Sequence, residues 1–145
     1  MSEQRQNDAT VEGEESRPLV LLADDDSDIR ALVRHALEGL PLRLLEAEDG
    51  EQAIETILVE RPDLIVLDVM MPEVTGWEVC KWLRTREGYS ETLVLMLTAV
   101  GEEVNKLTAP LYGADAYLDK PFEFEELAAK VQELLAQRRS PQARV

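Results

Sequence analysis

The sequence has one cysteine, one histidine and half as many basic residues as acidic ones, 15 against 30. No apolar run approaches the roughly 18 residues needed to cross a bilayer. Each shortage excludes something. A single thiol, Cys80, rules out an internal disulfide and any multi-cysteine metal site, which fits a reducing compartment, and its expected place is the core. The lone histidine, His35, lies between Arg34 and Ala36 in a helical pattern with no kinase-like motif around it, so it reads as a surface residue and not a phosphodonor. The start, MSEQRQNDATVEGEESRP, has neither a basic region nor an apolar core, so no secretory signal or membrane insertion is expected and the protein is expected to be cytoplasmic. The net charge of -15 argues against nucleic acid as a partner, because phosphate backbones are held by clustered Lys and Arg. Cations or basic partners are expected instead. Most acids in such a chain belong to solvated helix faces, so the informative ones are those that do not.

What is present is an alternation of short apolar runs and amphipathic stretches. A chain of 145 residues, 45% hydrophobic, is enough for one core and too short for two ordinary domains. Residues 1–17 are polar and acidic and are expected to form a disordered tail, residues 18–137 the domain, and residues 138–145 a frayed C-terminal tail. Strands are expected at LVLLA (19–23), LRLLEA (42–47), LIVL (64–67), TLVLML (92–97) and AYL (116–118). Ser27 is expected to cap the first helix, whose apolar positions Ile29, Leu32, Val33, Ala36, Leu37 and Leu40 keep a 3.6-residue period until Pro41 stops it. Ala53, Ile54, Ile57 and Leu58 mark a second helix ended by Pro62, and a third runs from about Gly76 to Arg84. Trp77 and Trp82, five apart on that third helix, cannot share one narrow stripe, so one is expected to pack and the other to stay partly exposed. A fourth helix near 102–109 should be short or kinked, because the Pro110 ring would clash with the carbonyl of Lys106. Phe124, Leu127, Val131, Leu134 and Leu135 stripe the last one.

Strands joined by helices imply a parallel sheet covered on both faces. The first, third and fourth strands are continuously apolar, as central strands are; the second carries Arg43 and Glu46 and the fifth is very short, so these two are the edges. The expected fold is therefore α/β, a flavodoxin-like (βα)5 three-layer sandwich with sheet order 2-1-3-4-5, whose ligands sit at the carboxyl ends of the strands.

The polar residues just past the strands then meet at one edge. They are Asp24 and Asp25 after the first strand, Asp68 after the third, Thr98 after the fourth, and Lys120 after Asp119 at the fifth. Any one has an ordinary explanation, since strands end in polar residues. Together, three acids on neighbouring strands repel, and a proton or a cation must answer them. An all-oxygen, partly hydrated cluster suits Mg²⁺, and no calcium-loop pattern occurs. With Lys120 and the Thr98 hydroxyl added, the arrangement suits transfer of a phosphoryl group to Asp68.

VLLADDDSDIR, PDLIVLDVMMPEVTGWEV, VLMLTA and GADAYLDKPF together resemble the four signatures of the bacterial two-component response regulator receiver domain, over nearly all of residues 18–137. The resemblance implies that Asp68 is the phosphoacceptor, and that Asp25 binds Mg²⁺ directly and Asp24 mainly through water. The backbone carbonyl of Met70 would be the third protein ligand. Lys120 would pair with Asp68 and later with the phosphoryl group. Thr98 would move to a phosphoryl oxygen, and Tyr117 would turn inward into the space vacated, changing the face of the fourth helix, fifth strand and last helix. The implied donor is a sensor histidine kinase or a histidine phosphotransfer protein. Met70 and Val100 flank the path of a hydrolytic water without a polar group, which by the same resemblance implies a long-lived phosphoryl group.

Few residues follow position 137, so a stand-alone regulator is expected, signalling to a downstream protein by contact alone; a receiver cut from a longer protein would look the same. Dimerisation of the phosphorylated form is left open. Two other functions compete. A small-molecule phosphatase working through an aspartyl phosphate usually has a second acid two residues after its nucleophile, where this chain has Met70. A receiver-like scaffold that never accepts phosphate usually lacks an acid or the lysine, and here all are present.

Overall fold

The computed structural model describes residues 16–98 and 113–138. Apart from Ser16, Arg17 and Arg138, both expected tails lie outside that range, as do the expected fourth helix, Pro110 and Val100. The elements are β1 (Leu19–Ala23), α1 (Ser27–Leu37), β2 (Arg43–Ala47), α2 (Gly50–Glu60), β3 (Leu64–Asp68), α3 (Gly76–Arg84), β4 (Leu93–Thr98), β5 (Ala116–Asp119) and α4 (Phe124–Gln137). The five strands form one parallel sheet in the order β2-β1-β3-β4-β5, the flavodoxin-like arrangement, with β2 and β5 at the edges. None of the helices described is long and apolar enough to cross a membrane.

Strand alternation sorts the core into two layers. Leu21, Ile65, Leu67, Val94 and Met96 pack with Ala53 and Ile57 of α2 and with Val79, Cys80 and Leu83 of α3. Val20, Leu22, Leu64, Val66, Leu95 and Leu97 pack with Val33 and Leu37 of α1 and with Leu127, Val131 and Leu134 of α4. Each such aliphatic side chain contributes about 1.5–3 kcal/mol by leaving water. Cys80 is core filling, as expected.

The helix ends differ in detail from the expectations. Asp26, not Ser27, caps α1: its carboxylate accepts from the amides of Asp28 at 2.8 Å and Ile29 at 3.4 Å. The helix also ends at Leu37, before Leu40 and Pro41, and Gly39 turns the chain with a φ of 92° that side chains rarely adopt. α3 starts with a reciprocal cap in which the Glu78 amide donates to the Thr75 hydroxyl at 3.2 Å and the Thr75 amide to the Glu78 carboxylate at 2.9 Å. Trp77 and Trp82 are both half-buried against the same core layer, and Trp82 is flanked by Tyr89, with ring centroids 6.4 Å apart, and by Arg86. Phe124 is not part of the buried stripe. It opens α4 at the surface, its ring edge-on to His35 with centroids 5.1 Å apart.

Arg84 fixes the entry to β5. Its guanidinium donates to the carbonyls of Gly113 (2.8 Å), Tyr89 (3.1 Å) and Thr92 (2.7 Å) and to the Asp115 carboxylate (2.8 Å). Gly76 fixes the other side: a Cβ there would collide with the carbonyl oxygen of Asp68. Gly76→Ala should therefore destabilise the fold by about 1–3 kcal/mol and displace the end of β3, measurable as a lower urea midpoint with an unchanged denaturant slope.

Candidate functional site

Parallel pairing aligns Ala23 with Leu67, and Asp68 with Leu97, so Asp24 and Asp68 prolong adjacent strands and Thr98 stands one residue beyond the partner of Asp68. Asp24, Asp25 and Asp68 each bring a carboxylate oxygen within 4.8 Å of the others. Asp24 and Asp68 are buried, whereas Asp25 is exposed. Lys120, just past β5, donates from Nζ to Asp68 Oδ1 at 2.9 Å and to Asp24 Oδ2 at 3.2 Å. The peptide bond from Lys120 to Pro121 is cis.

The two buried acids are held on several sides. Asp24 Oδ1 accepts the Asp26 amide at 2.9 Å, and the Asp24 carbonyl accepts Arg30 Nη1 at 2.7 Å. Arg30 is itself 3.4 Å from Glu46 of β2, and Arg34 grips the same carboxylate with two hydrogen bonds of 2.7 and 2.9 Å. Asp68 also accepts the backbone amide of Met70. The Thr98 hydroxyl donates to Asp119 Oδ1 at 2.7 Å.

One ammonium serving two buried carboxylates leaves the site short of positive charge. Burial, and then the charge of Asp24, push Asp68 up to about 6 although the bond from Lys120 and the Met70 amide act the other way. For Lys120, burial works against its charge, but the hydrogen bond with Asp68 and the charges of Asp24 and Asp68 outweigh it and raise its pKa. Burial is the main cause of the Asp68 shift, with the Asp24 charge adding to it, whereas the two acids are what hold the lysine protonated. The oxygen-only donor set of Asp24, Asp25 and Asp68 fits a small hard divalent cation such as Mg²⁺ and not a metal that prefers sulfur or imidazole.

The structure thus brings together Asp24, Asp25, Asp68 and Lys120 and places Thr98 beside them. Met70 reaches the site through its backbone amide while the residue is 65% exposed. Tyr117 is at the surface of β5, 39% exposed. Three contributors were missed in the sequence: Asp26 and Arg30, which fix Asp24, and Asp119, which holds Thr98. The adjacency of Asp119 to Lys120 was the available signal, since a parallel register opposite Thr98 follows once both strands are extended by one residue.

The sequence profile of the response regulator receiver domain matches residues 20–132. The chain belongs to this family. The receiver is 43% identical over 116 residues to the alkaline phosphatase synthesis transcriptional regulatory protein PhoP of Bacillus subtilis, covering 80% of this chain and 48% of PhoP. It is 42% identical over 127 residues to the DNA-binding dual master transcriptional regulator RpaA of Synechocystis, covering 87% of this chain and 53% of RpaA. Among solved structures, the chemotaxis response regulator CheY4 of Vibrio cholerae superposes with a TM-score of 0.76 at 35% identity, over 81% of this chain and 98% of CheY4.

The receiver spans about half the length of those two regulators. Their names correct the expectation that nucleic acid plays no part and that signalling runs by protein contact alone: both are transcriptional regulators, and RpaA is DNA-binding. The charge argument applied only to the residues counted. An acidic receiver carries no information on the charge of the rest of a regulator, and it is the surface touching phosphate that must be basic.

A raised folded-state pKa means that the native receiver holds the Asp68 proton more tightly than the unfolded chain does. Stability therefore falls as pH rises from about 4, the unfolded value, to about 6, and the loss is complete above that. In magnesium-free buffer, Asp68→Asn should match the wild type below pH 4 and exceed its stability above pH 6 by on the order of 2–3 kcal/mol. Urea unfolding of both proteins across this range checks it; a constant difference would show that Asp68 is not the group titrating.

Proposed function

We propose that this receiver is a phosphoacceptor switch of a cytoplasmic two-component phosphorelay, in which Asp68 takes a phosphoryl group from a phosphohistidine of a sensor histidine kinase or a histidine phosphotransfer protein. The observation that supports this most strongly is the Lys120 ammonium 2.9 Å from a carboxylate that ends a wholly buried strand, with two further acids beside it. A scaffold with no phosphoryl chemistry has no need to concentrate charge in this way.

An ionised Asp68 oxygen forms the new O–P bond as the P–N bond of the donor breaks and its electron pair returns to the imidazole. With a pKa of about 6, Asp68 is mostly ionised at neutral pH. β3, buried on both faces, keeps the nucleophile from moving away. Lys120 already bridges both buried acids and can turn to the transferred oxygens as charge builds on them. Mg²⁺ held by Asp24, Asp25, Asp68 and the Met70 carbonyl would neutralise charge on the phosphoryl oxygens. The chain thus promotes its own phosphorylation, and loss of the group by water attack uses the same residues.

Once formed, the aspartyl phosphate offers acceptors for Lys120 and for the Thr98 hydroxyl. Movement of Thr98 frees space at the C-terminal end of β4, into which Tyr117 turns from the surface. That changes the face of β5 and α4, with a coupling of about 1–3 kcal/mol. By analogy with PhoP and RpaA, the consequence is control of transcription.

Intact mass after incubation with acetyl phosphate and Mg²⁺ should show one added phosphoryl group on the wild type, none on Asp68→Asn and none after chelation of the metal. Lys120→Ala should slow the labelling by on the order of 100-fold. A full adduct on Asp68→Asn would place the nucleophile elsewhere.

A further inference from the structure

We propose that Asp119 is a latch on the switch: a positioning residue that holds the Thr98 hydroxyl away from the phosphoryl site and so sets how far phosphorylation shifts the receiver. This rests on Asp68 as the phosphoacceptor. Thr98 is 1% exposed, so water does not satisfy its hydroxyl, and that hydroxyl has one proton to give. It gives it to Asp119 Oδ1 at 2.7 Å, a short bond to a carboxylate. The placement is enforced by the sheet: Thr98 is paired with Asp119 across β4 and β5, and the Lys120 amide donates to the Thr98 carbonyl at 2.7 Å. Consecutive residues, Asp119 and Lys120, therefore hold the hydroxyl that would meet a phosphoryl oxygen, Thr98, and the acid that would carry the group, Asp68.

Two acceptors then compete for one proton. Thr98 can donate to a phosphoryl oxygen on Asp68 only by leaving Asp119, so the strength of the existing bond subtracts from the drive of the new one. The released carboxylate shares a face of β5 with Tyr117, two residues back. Breaking the latch thus perturbs the surface at the residue expected to turn. A weaker acceptor at position 119 lowers the resistance, and the order of resistance is carboxylate, neutral amide, methyl.

The test uses beryllofluoride with Mg²⁺ as the phosphoryl mimic. Binding is read from tryptophan fluorescence, since Trp77 follows the glycine packed on the Asp68 carbonyl. Asp119→Ala should tighten apparent binding about 10-fold and Asp119→Asn about 3-fold, the neutral acceptor being the weaker competitor. In a Thr98→Ala background the same Asp119→Ala change should shift binding less than about 2-fold, because no hydroxyl remains to be released. Should circular dichroism show Asp119→Ala to be unfolded, the nearly isosteric Asn variant, with and without Thr98→Ala, decides. Unchanged or weaker binding when Asp119 is replaced, or an equal gain without Thr98, overturns the latch alone. A wild type that fails to bind, or an Asp68→Asn variant that binds as tightly, overturns the phosphoacceptor reading and the latch with it.

Discussion

Two buried carboxylates, Asp24 and Asp68, share one ammonium, Lys120, at the carboxyl end of the sheet. With both acids ionised the three groups carry one net negative charge, and burial magnifies the imbalance because water is not there to screen it. The consequences are local and chemical: a raised pKa at Asp68, a lysine held protonated, and a cluster of hard oxygens ready for a divalent cation. In the proposed function a phosphoryl group on Asp68 would add to this negative charge, so Lys120 and a divalent cation are what would hold it.

The remainder of the fold keeps that imbalance in place. Repulsion alone would spread the acids, yet Asp24 is tied by the Asp26 amide, by Lys120 and, through its carbonyl, by Arg30. Arg30 and Arg34 meet Glu46, which lashes the edge strand β2 to α1. Asp68 is backed by Gly76, where absence of a side chain lets the start of α3 touch the strand. At the opposite end, Arg84 secures the start of β5, and hence the strand that delivers both Asp119 and Lys120. Stability and function are coupled at this point, since the contacts that build the sheet edge are also those that aim the charged groups.

The Thr98–Asp119 bond is where the proposed latch would connect this charge arrangement to a change of shape. A switch needs two states of comparable free energy, which requires something in the resting state to oppose the active one. In the latch proposed above, that opposition is the Asp119 carboxylate, which holds the single Thr98 hydroxyl proton that a phosphoryl oxygen would also take. The likeness to longer transcriptional regulators shows why the acidity of the receiver was a poor guide to nucleic acid: charge is a property of each surface and does not transfer along a chain.

Much was legible from residue order. Strands, their central or edge placement and the sheet order followed from continuous or interrupted apolar runs, because burial on two faces tolerates no polar side chain. Asp24, Asp25, Asp68 and Lys120 could be gathered because parallel strands deliver their carboxyl ends to one edge whatever the details. Helix ends were legible only roughly: Asp26 and Ser27 are both good caps in sequence, and only the amide directions chose between them. The tertiary structure alone decided which donors and acceptors pair. Phe124 at the surface, Trp77 and Trp82 on one core layer, Arg30 beneath Asp24 and Asp119 opposite Thr98 all depend on distances between elements, to the precision of one hydrogen bond. Periodicity fixes which face a residue occupies, and hydrogen bonds are decided by tenths of an ångström set by the packing of the whole.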